Sequence, residues 1–400
     1  MKATSRKNTL ILSFTLLVVM LGYGMVMPVM PFLIERLGAG GRELGWLIST
    51  YSLMQLICAP LWGILSDRIG RKPVIAVGVL GYAVTLFLFG LATEFWMLFV
   101  ARTLAGMLSS AAMPTSMAYI SDNVAEDERS GGMGQLGAAT GVGIIAGPLL
   151  GGLLSEDSLS LPFFVGAGMA LLSFLLVLLL LPESRPLREV GERQSIRLMD
   201  IRVKTLREAV PGPAGWVLVL ILIMSFGLAN FQGIIGLYAV DKFGFSTGQV
   251  GMLWMVIGAV LILGQGGLTG PLTKRFGELW LIRAGLAGGA VGFLCISLAG
   301  NFGTLLLALG FFTLTLALIG PALNAYISRF ASERQGRVMG MNAAAGSLGR
   351  VVGPLLAGPL YDANVEYPLW SGAATLLVGA LLALTPLVGG RKVKEGEVRV

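Results

Sequence analysis

Twelve runs of apolar residues, each near the roughly 20-residue length that crosses a hydrocarbon core as a helix, alternate with short polar segments along this chain. They cover residues 9–33, 44–65, 74–93, 96–121, 131–154, 162–181, 214–240, 248–270, 279–299, 303–327, 337–361 and 368–388. A bilayer offers no water to satisfy backbone N–H and C=O groups, so each run must close its own hydrogen bonds as a helix. The predicted fold is an all-α membrane protein of twelve transmembrane helices, spans 1 to 12 in chain order. Span 1 follows Lys2, Arg6 and Lys7 as the core of a signal peptide does, yet it is long, lacks a small-residue cleavage site and precedes eleven more runs. It reads as an uncleaved helix.

The pattern also repeats on a longer scale. Ala118-Tyr-Ile-Ser121 recurs as Ala325-Tyr-Ile-Ser328, and Gly147-Pro148-Leu-Leu150 recurs as Gly353-Pro354-Leu-Leu356, at offsets of 207 and 206 residues. Pro114 matches Pro321 in the same register. A six-span unit has been duplicated. Six is even, so both copies enter the membrane in the same direction and form a parallel repeat. The expected organisation is an N-terminal half over 1–182, a charged cytoplasmic connector over 183–213, and a C-terminal half over 214–400 that ends in a short cytoplasmic tail.

Composition and charge add topology. With 55% hydrophobic residues, 13% charged and a mean hydropathy of +0.81, a soluble fold would lack the polar surface to cover itself. The net charge of +7 would point to nucleic acid in a soluble protein, but 23 of the 29 Lys and Arg fall in the even-numbered connections and the two tails. That is the distribution of cytoplasmic loops. It places both termini on the cytoplasmic side of the membrane, expected to be a bacterial plasma or inner membrane, and accounts for the basic balance without a nucleic-acid partner. Cys58 and Cys295 lie in different halves, which indicates no disulfide framework, and the chain contains no histidine to relay protons. No phosphate loop and no Cys or His cluster is present, so no cofactor, metal site or enzymatic centre is expected.

Three stretches carry chemistry. Gly63-Ile-Leu-Ser-Asp67-Arg68-Ile-Gly70-Arg71-Lys72 joins spans 2 and 3, and a weaker copy, Gly270-Pro-Leu-Thr-Lys274-Arg275-Phe-Gly277, joins spans 8 and 9. Span 4 holds Arg102-Thr-Leu-Ala-Gly106, and span 5 holds Gly143-Ile-Ile-Ala-Gly147-Pro148-Leu-Leu-Gly151-Gly152. Gly143, Gly147 and Gly151 repeat at i+4 and strip one helix face of side chains, so that another backbone can approach. Pro148 and its repeat mate Pro354, beside Gly353, remove helix hydrogen bonds and are expected to bend spans 5 and 11.

These stretches resemble the major facilitator superfamily, and within it the twelve-helix drug:proton antiporters such as the tetracycline and quinolone exporters. The resemblance implies a monomer in membrane lipid that moves a small molecule through a cavity between its halves, opened alternately to each side and exchanging for protons. It implies that spans 5 and 8, and spans 2 and 11, pack between the halves. It also implies a gate in which Asp67 pairs with a neighbouring helix end and the loop arginines, built from Gly63, Asp67, Arg68, Gly70, Arg71 and Lys72, with Asp122 and Arg129 in reach. Lys274 stands where Asp67 stands in the first half, so the second-half latch is expected to be weaker or absent.

Charges inside the spans mark candidate contacts. A cation at membrane depth costs about 2.5–3.5 kcal/mol on insertion scales, so Arg102 and Arg350 are expected to face a cavity. Tyr51, Gln55, Asn230, Gln232, Asn324 and Asn342 are the polar residues that could read a substrate there. Met25, Met27, Met30, Phe226, Phe231, Trp254 and Phe312 would suit an adaptable pocket, and lipid-facing packing explains each of them equally well.

The chain departs from the resemblance in its acids. Tetracycline exporters carry an acid at the position aligned with Val19, and quinolone exporters carry acids where this chain has Gln232 and Ala317. All 22 Asp and Glu here lie in loops, tails or span ends. Proton coupling would therefore fall to Glu35 and its repeat mate Asp241 at the outer mouth, or to Asp67 and Asp122 at the inner one. Three readings follow: a proton-driven exporter of hydrophobic drug-like compounds, a transporter of an amphipathic anion or lipid without classical proton coupling, and a non-transporting receptor or scaffold.

Overall fold

Each apolar run becomes one long helix, because a membrane-buried backbone has no cheaper way to satisfy itself. A computed structural model describes residues 3–124, 126–184, 213–329 and 335–385. In order the helices are α1 (Ala3–Arg36), α2 (Gly41–Ile69), α3 (Arg71–Gly90), α4 (Phe95–Ser109), α5 (Ala112–Asn123), α6 (Glu126–Leu154), α7 (Leu161–Leu180), α8 (Pro213–Phe243), α9 (Thr247–Leu263), α10 (Thr269–Phe276), α11 (Glu278–Ser297), α12 (Phe302–Ser328), α13 (Gln335–Ala363) and α14 (Tyr367–Leu384). The connector's residues 185–212 and the tail beyond 385 lie outside the described residues.

Two of the twelve spans are broken, each for a local reason. Span 4 divides into α4 and α5 four residues before Pro114, which has no N–H to donate and whose ring crowds the carbonyl one turn back. Span 8 divides into α9 and α10 around a π-helical turn, Gly264–Leu268, in the sequence Gly-Gln-Gly-Gly-Leu. Three glycines in five residues leave little side-chain packing to hold the tighter α register. Among the described residues, eleven spans are long and apolar enough to cross a membrane. The twelfth, α13, has the length, and its Asn342, Ser347 and Arg350 dilute its hydropathy. Large apolar side chains such as Leu179, Leu298 and Leu307 are more than 70% exposed, which suits a surface whose solvent is lipid.

Residues 1–193 with 233–258 form one compact unit, and 194–232 with 259–400 form another. In the first, α1 packs along α6 through the bare glycine face of span 5. A Cβ on Gly147 would lie 2.5 Å from the Leu21 carbonyl oxygen and 3.0 Å from Gly24 Cα; one on Gly143 would meet the Leu17 oxygen at 2.7 Å, and one on Gly151 the Met25 backbone at 2.6 Å. The second unit repeats this between α8 and α13. There a Cβ on Gly349 would lie 2.7 Å from the Leu222 oxygen, and one on Gly353 would lie 2.8 Å from the Phe226 oxygen and the Asn230 nitrogen.

The glycine stripe of span 5 thus faces α1, and the neighbouring face of α6 serves span 8. A Cβ on Gly251 of α9 would lie 2.6 Å from the Pro148 oxygen and 3.1 Å from Gly152 Cα, and one on Gly258 would meet the Ile144 oxygen at 3.1 Å. Spans 5 and 8 do touch, through Ile144, Pro148 and Gly152 rather than through Gly143, Gly147 and Gly151. α6 and α13 both continue as helices through Pro148 and Pro354.

Candidate functional site

The loop between α2 and α3 is held by Arg71. Its side chain is buried, and its guanidinium joins three groups: Nη2 to Asp67 Oδ1 at 2.7 Å, Nε to Asp122 Oδ2 at 3.1 Å, and Nη1 to Ser66 Oγ at 2.6 Å. Ser66 in turn donates to the Gly63 carbonyl at 2.8 Å. Arg71 is the first residue of α3, where a helix dipole favours an anion rather than a cation. The missing anion comes from the far end of α7: Glu183 accepts the backbone N–H of Arg71 at 2.9 Å and of Lys72 at 3.2 Å. Gly70 makes this approach feasible, with φ of +100° and no side chain to strike the carboxylate. The ends of α2, α3, α5 and α7 are thereby tied together. Arg129 lies at the start of α6, its Nε buried and without a hydrogen-bond partner among the described residues.

The second unit keeps part of this junction, one ion pair with its charges inverted. Gly277 adopts φ of +80° as Gly70 does, and Arg329 Nη2 pairs with Glu278 Oε1 at 2.5 Å. At the offset of 207, Glu278 corresponds to Arg71, Arg329 to Asp122 and Lys274 to Asp67. One pair, Arg329 with Glu278, stands here against the three contacts of Arg71, in keeping with the weaker latch that Lys274 led us to expect. Glu278 is itself an anion in the first turn of α11, and Arg329 a cation at the C-terminus of α12, so both suit their helix dipoles without an imported cap.

Deeper in the first unit lies a cluster around Arg102. This side chain is 2% exposed, its guanidinium carbon sits 4.4 Å from the Tyr51 ring centre and 5.9 Å from that of Tyr23, and its Nε and Nη2 have no hydrogen-bond partner among the described residues. Tyr51 is fixed by Ser109 at 3.2 Å and by Gln55, whose amide donates to its hydroxyl at 3.0 Å. The spacing Arg102-x-x-x-Gly106 explains the geometry. Both residues lie on one face of α4, and the absent side chain of Gly106 lets the Tyr51 backbone approach, with a Cβ there only 2.6 Å from the Tyr51 oxygen. The ring is thus carried under the guanidinium. A desolvated cation held by ring faces alone is costly. Arg102→Met is therefore expected to raise the melting midpoint of the purified protein while lowering transport at least tenfold. A variant that loses stability and keeps transport would show that Arg102 is only structural.

In the second unit, Asn324, Asn342 and Arg350 meet around one cavity of about 330 Å³, together with Ser225, Ile221, Met224 and Leu323. Asn342 Nδ2 donates to Asn324 Oδ1 at 2.7 Å, and Arg350 Nη2 donates to Ser347 Oγ at 2.7 Å. Asn230 goes elsewhere: it is fully buried, with Nδ2 on Ser371 Oγ at 3.0 Å. Gln232 is half-buried one residue beyond the close-packed Phe231.

The Major Facilitator Superfamily sequence model matches residues 12–269 and again 217–399, which together span nearly the whole chain. This chain belongs to the Major Facilitator Superfamily. It is a secondary transporter and not an enzyme, with twelve membrane-spanning helices. Among superfamily relatives it is 31% identical to multidrug resistance protein 2 of Bacillus subtilis over 385 residues, covering 96% of each chain. It is 28% identical to the quinolone resistance protein NorA of Staphylococcus aureus, covering 97% of this chain and 99% of that one. The same fold is seen in a bacterial homologue of the human lysosomal transporter Spinster, inward-facing and occupied, at a TM-score of 0.78 and 15% identity over 94% of this chain and 95% of that one.

Of the three positions at which the resemblance implies acids, Val19 and Ala317 are tightly packed. Val19 is 3% exposed in α1. Ala317 is fully buried in α12, and a Cβ on Gly264 of the π turn would lie 2.7 Å from its own Cβ, so no carboxylate fits between them. Glu35 and Asp241 are exposed at the C-terminal ends of α1 and α8, which meet where a Cβ on Gly236 would lie 2.5 Å from Pro31 Cγ. Arg68 and Lys72 flank the Arg71 junction, and Arg283 donates from Nε to the Ala383 carbonyl at 2.8 Å, tying α11 to α14.

Four residues of these clusters escaped the sequence reading. Glu183 follows Pro182 at a span end, and nothing local marks it as a cap for a helix start 112 positions away. Tyr23 sits among apolar residues with no charge nearby in sequence. Glu278 and Arg329 had a usable signal: aligning the repeats position by position shows both carrying the opposite charge to their mates.

Proposed function

We propose that this chain exports hydrophobic and amphipathic drug-like compounds by alternating access between two six-helix halves, driven by proton entry. The carrying observation is a match from end to end with multidrug and quinolone resistance proteins in a chain whose deep polar cluster, Arg102 beneath Tyr51 and Tyr23, combines ring faces with unspent donors. The Arg71 junction supports the gating role of Asp67, Asp122 and the loop arginines, since it ties four helix ends that must move as one body. One proton crossing about 100 mV releases roughly 2.3 kcal/mol, enough for about a fiftyfold gradient. The protein resides as a monomer in the bacterial inner membrane with both termini cytoplasmic. Transport into proteoliposomes across a solute panel, with and without an imposed pH gradient, tests the reading; pH-independent movement of every solute would remove the antiport step.

Coupling without a mid-membrane acid points to the span ends. Glu35→Gln or Asp241→Asn is expected to slow pH-driven transport at least fivefold, and Glu94→Gln less than twofold. Equal effects in the same proteoliposome assay would move the proton site elsewhere. A second reading, movement of an amphipathic anion without proton exchange, is favoured by one observation: the charges at depth, Arg102 and Arg350, are both positive.

A further inference from the structure

The duplicated halves fall out of register by one residue inside span 8. Glu35 and Gly38 stand 206 positions before Asp241 and Gly244, and each of the two glycines follows a helix end at positive φ, +67° and +66°. From Gly63 and Gly70 to Gly270 and Gly277 the offset is 207, and Gly70 and Gly277 again share a positive φ. Span 2 accordingly runs for 29 residues, Gly41–Ile69, and span 8 for 30, Thr247–Phe276. The longer copy is the one with the π turn, where the Thr269 N–H reaches back five residues to the Gly264 carbonyl. Such a turn absorbs one extra residue without shifting the helix on either side. Span 2 is weakened at the matching depth by other means: Pro60, 206 positions before Gly266, removes a helix hydrogen bond.

The two sides of the π turn are packed differently. α9 is held against α6, where a Cβ on Gly251 would lie 2.6 Å from the Pro148 oxygen and one on Gly258 3.1 Å from the Ile144 oxygen. Among the described residues of α10 only Thr269 is buried, and a Cβ on Gly266, Gly267 or Gly270 would meet nothing within 4 Å. The turn itself is pinned on one face. Gly264 is buried against Ala317, and its carbonyl accepts from Thr269 Oγ1 at 2.8 Å as well as from the Thr269 N–H. A fixed outer segment, a pinned turn and a loosely packed inner segment make a lever, and π turns are among the few places where helices bend sharply. In span 2 the inner segment is steadied by Trp62, whose Nε1 donates to the Met107 carbonyl at 2.6 Å, so the swing belongs to span 8. We propose that the residue inserted in span 8 is the hinge on which α10, with Lys274, Arg275 and the Gly277 junction, swings to open and close the inner mouth while α9 keeps its place on α6. The proposal rests on the alternating-access reading for its purpose and on register and packing for its location.

Deleting Gly267 tests the hinge, because Gly264 then becomes the i−4 partner of Thr269 and the same N–H···O bond closes an ordinary α turn. No packed side chain is lost. The full-length variant is expected to keep its folded yield within about twofold and to transport at least tenfold more slowly in proteoliposomes. Spin labels at Met252 and Phe276, which are 41% and 43% exposed, report the bend in a chain carrying Cys58→Ser and Cys295→Ser. The wild type should give a broad or double distance distribution, and the deletion variant a single narrow one. Adding Gly266→Pro to the deletion supplies the device of span 2 and should restore a substantial part of the transport. Gly266→Ala with Gly267→Ala stiffens the turn at constant length, and should raise the melting midpoint while slowing transport about threefold. Transport by the deletion variant within twofold of wild type overturns the hinge, as does a wild-type distance distribution no broader than the variant's, or a loss of transport that Gly266→Pro does not relieve. For a deletion variant that fails to fold, the alanine pair decides, and wild-type transport by that pair overturns the hinge. A wild type that moves no solute removes the export reading instead, and the label distances alone then decide the hinge.

Discussion

Gly147→Leu is expected to bring transport to background and to cut the yield of folded protein at least tenfold, whereas Gly168→Leu should change neither by more than twofold. The atoms that a Gly147 side chain would strike are backbone, the Leu21 oxygen at 2.5 Å and Gly24 Cα at 3.0 Å, and backbone cannot swing aside as a side-chain tip can. Gly24 has its own constraint, since a Cβ there would lie 2.6 Å from Pro148 Cδ. α1 and α6 are locked together at this point, and separating them would forfeit the packing on which helix association in lipid depends. Overpacking of this kind costs about 1–3 kcal/mol where neighbours can yield, and more where they cannot. Gly168 has nothing within 4 Å and supplies the control; Gly90 cannot, because a Cβ there would meet the Phe164 ring at 2.6 Å. Gly353→Leu should reproduce the loss between α8 and α13. Detergent-stable yield and proteoliposome transport, measured together, decide the matter: matching behaviour of Gly147→Leu and Gly168→Leu would show that the close approach carries no weight.

Arg71→Glu should reduce transport at least tenfold, and the triple change Asp67→Lys, Arg71→Glu, Asp122→Arg should recover a substantial part of the loss. The single variant places three carboxylates around one point, with Glu183 nearby as a fourth. Breaking a buried ion pair costs about 3–5 kcal/mol, and with Asp67 at 54% and Asp122 at 27% exposure solvent reduces this to about 1–3 kcal/mol. The triple variant copies the charge order of the second unit, Lys274, Glu278 and Arg329, in which Glu278 pairs with Arg329. Adding Glu183→Gln should restore more, since an anion already occupies the first turn of α3. Arg329→Ala, by contrast, removes a side chain that is 61% exposed and should cost less than about 1 kcal/mol. Transport by the triple variant no better than by Arg71→Glu would show that the sign of the charges matters and not merely their pairing.

The helices were legible because their cause is local: a run of apolar residues in a bilayer has one way to satisfy its backbone. The duplication was legible because Ala118-Tyr-Ile-Ser121 and Gly147-Pro148 survive in both copies. Partners across space were harder. The i+4 glycines of span 5 revealed that some backbone comes close, and only coordinates show that α1 fills that face while Ile144, Pro148 and Gly152 meet α9. Arg102 and Arg350 were conspicuous by their cost, whereas Tyr23 and Glu183, cheap wherever they stand, acquire meaning only from what faces them. The polar set of six divided three ways, with Tyr51 and Gln55 around Arg102, Asn324 and Asn342 around Arg350, and Asn230 and Gln232 in neither group, because one-dimensional spacing says which side of a helix a residue occupies and not what stands opposite.

The contact between Ala317 and Gly264 also bears on how this lineage can change. Gaining an acid at 317 is a single-codon step, yet the carboxylate would arrive against a π turn with no room for it, and the intermediate would be selected against before any coupling advantage appeared. The route opens only if the turn relaxes first, through replacement or re-registering of its glycines. Carriers that arise from this chain should therefore alter residues 264–268 before, and not after, any acidic residue appears in the middle of α12.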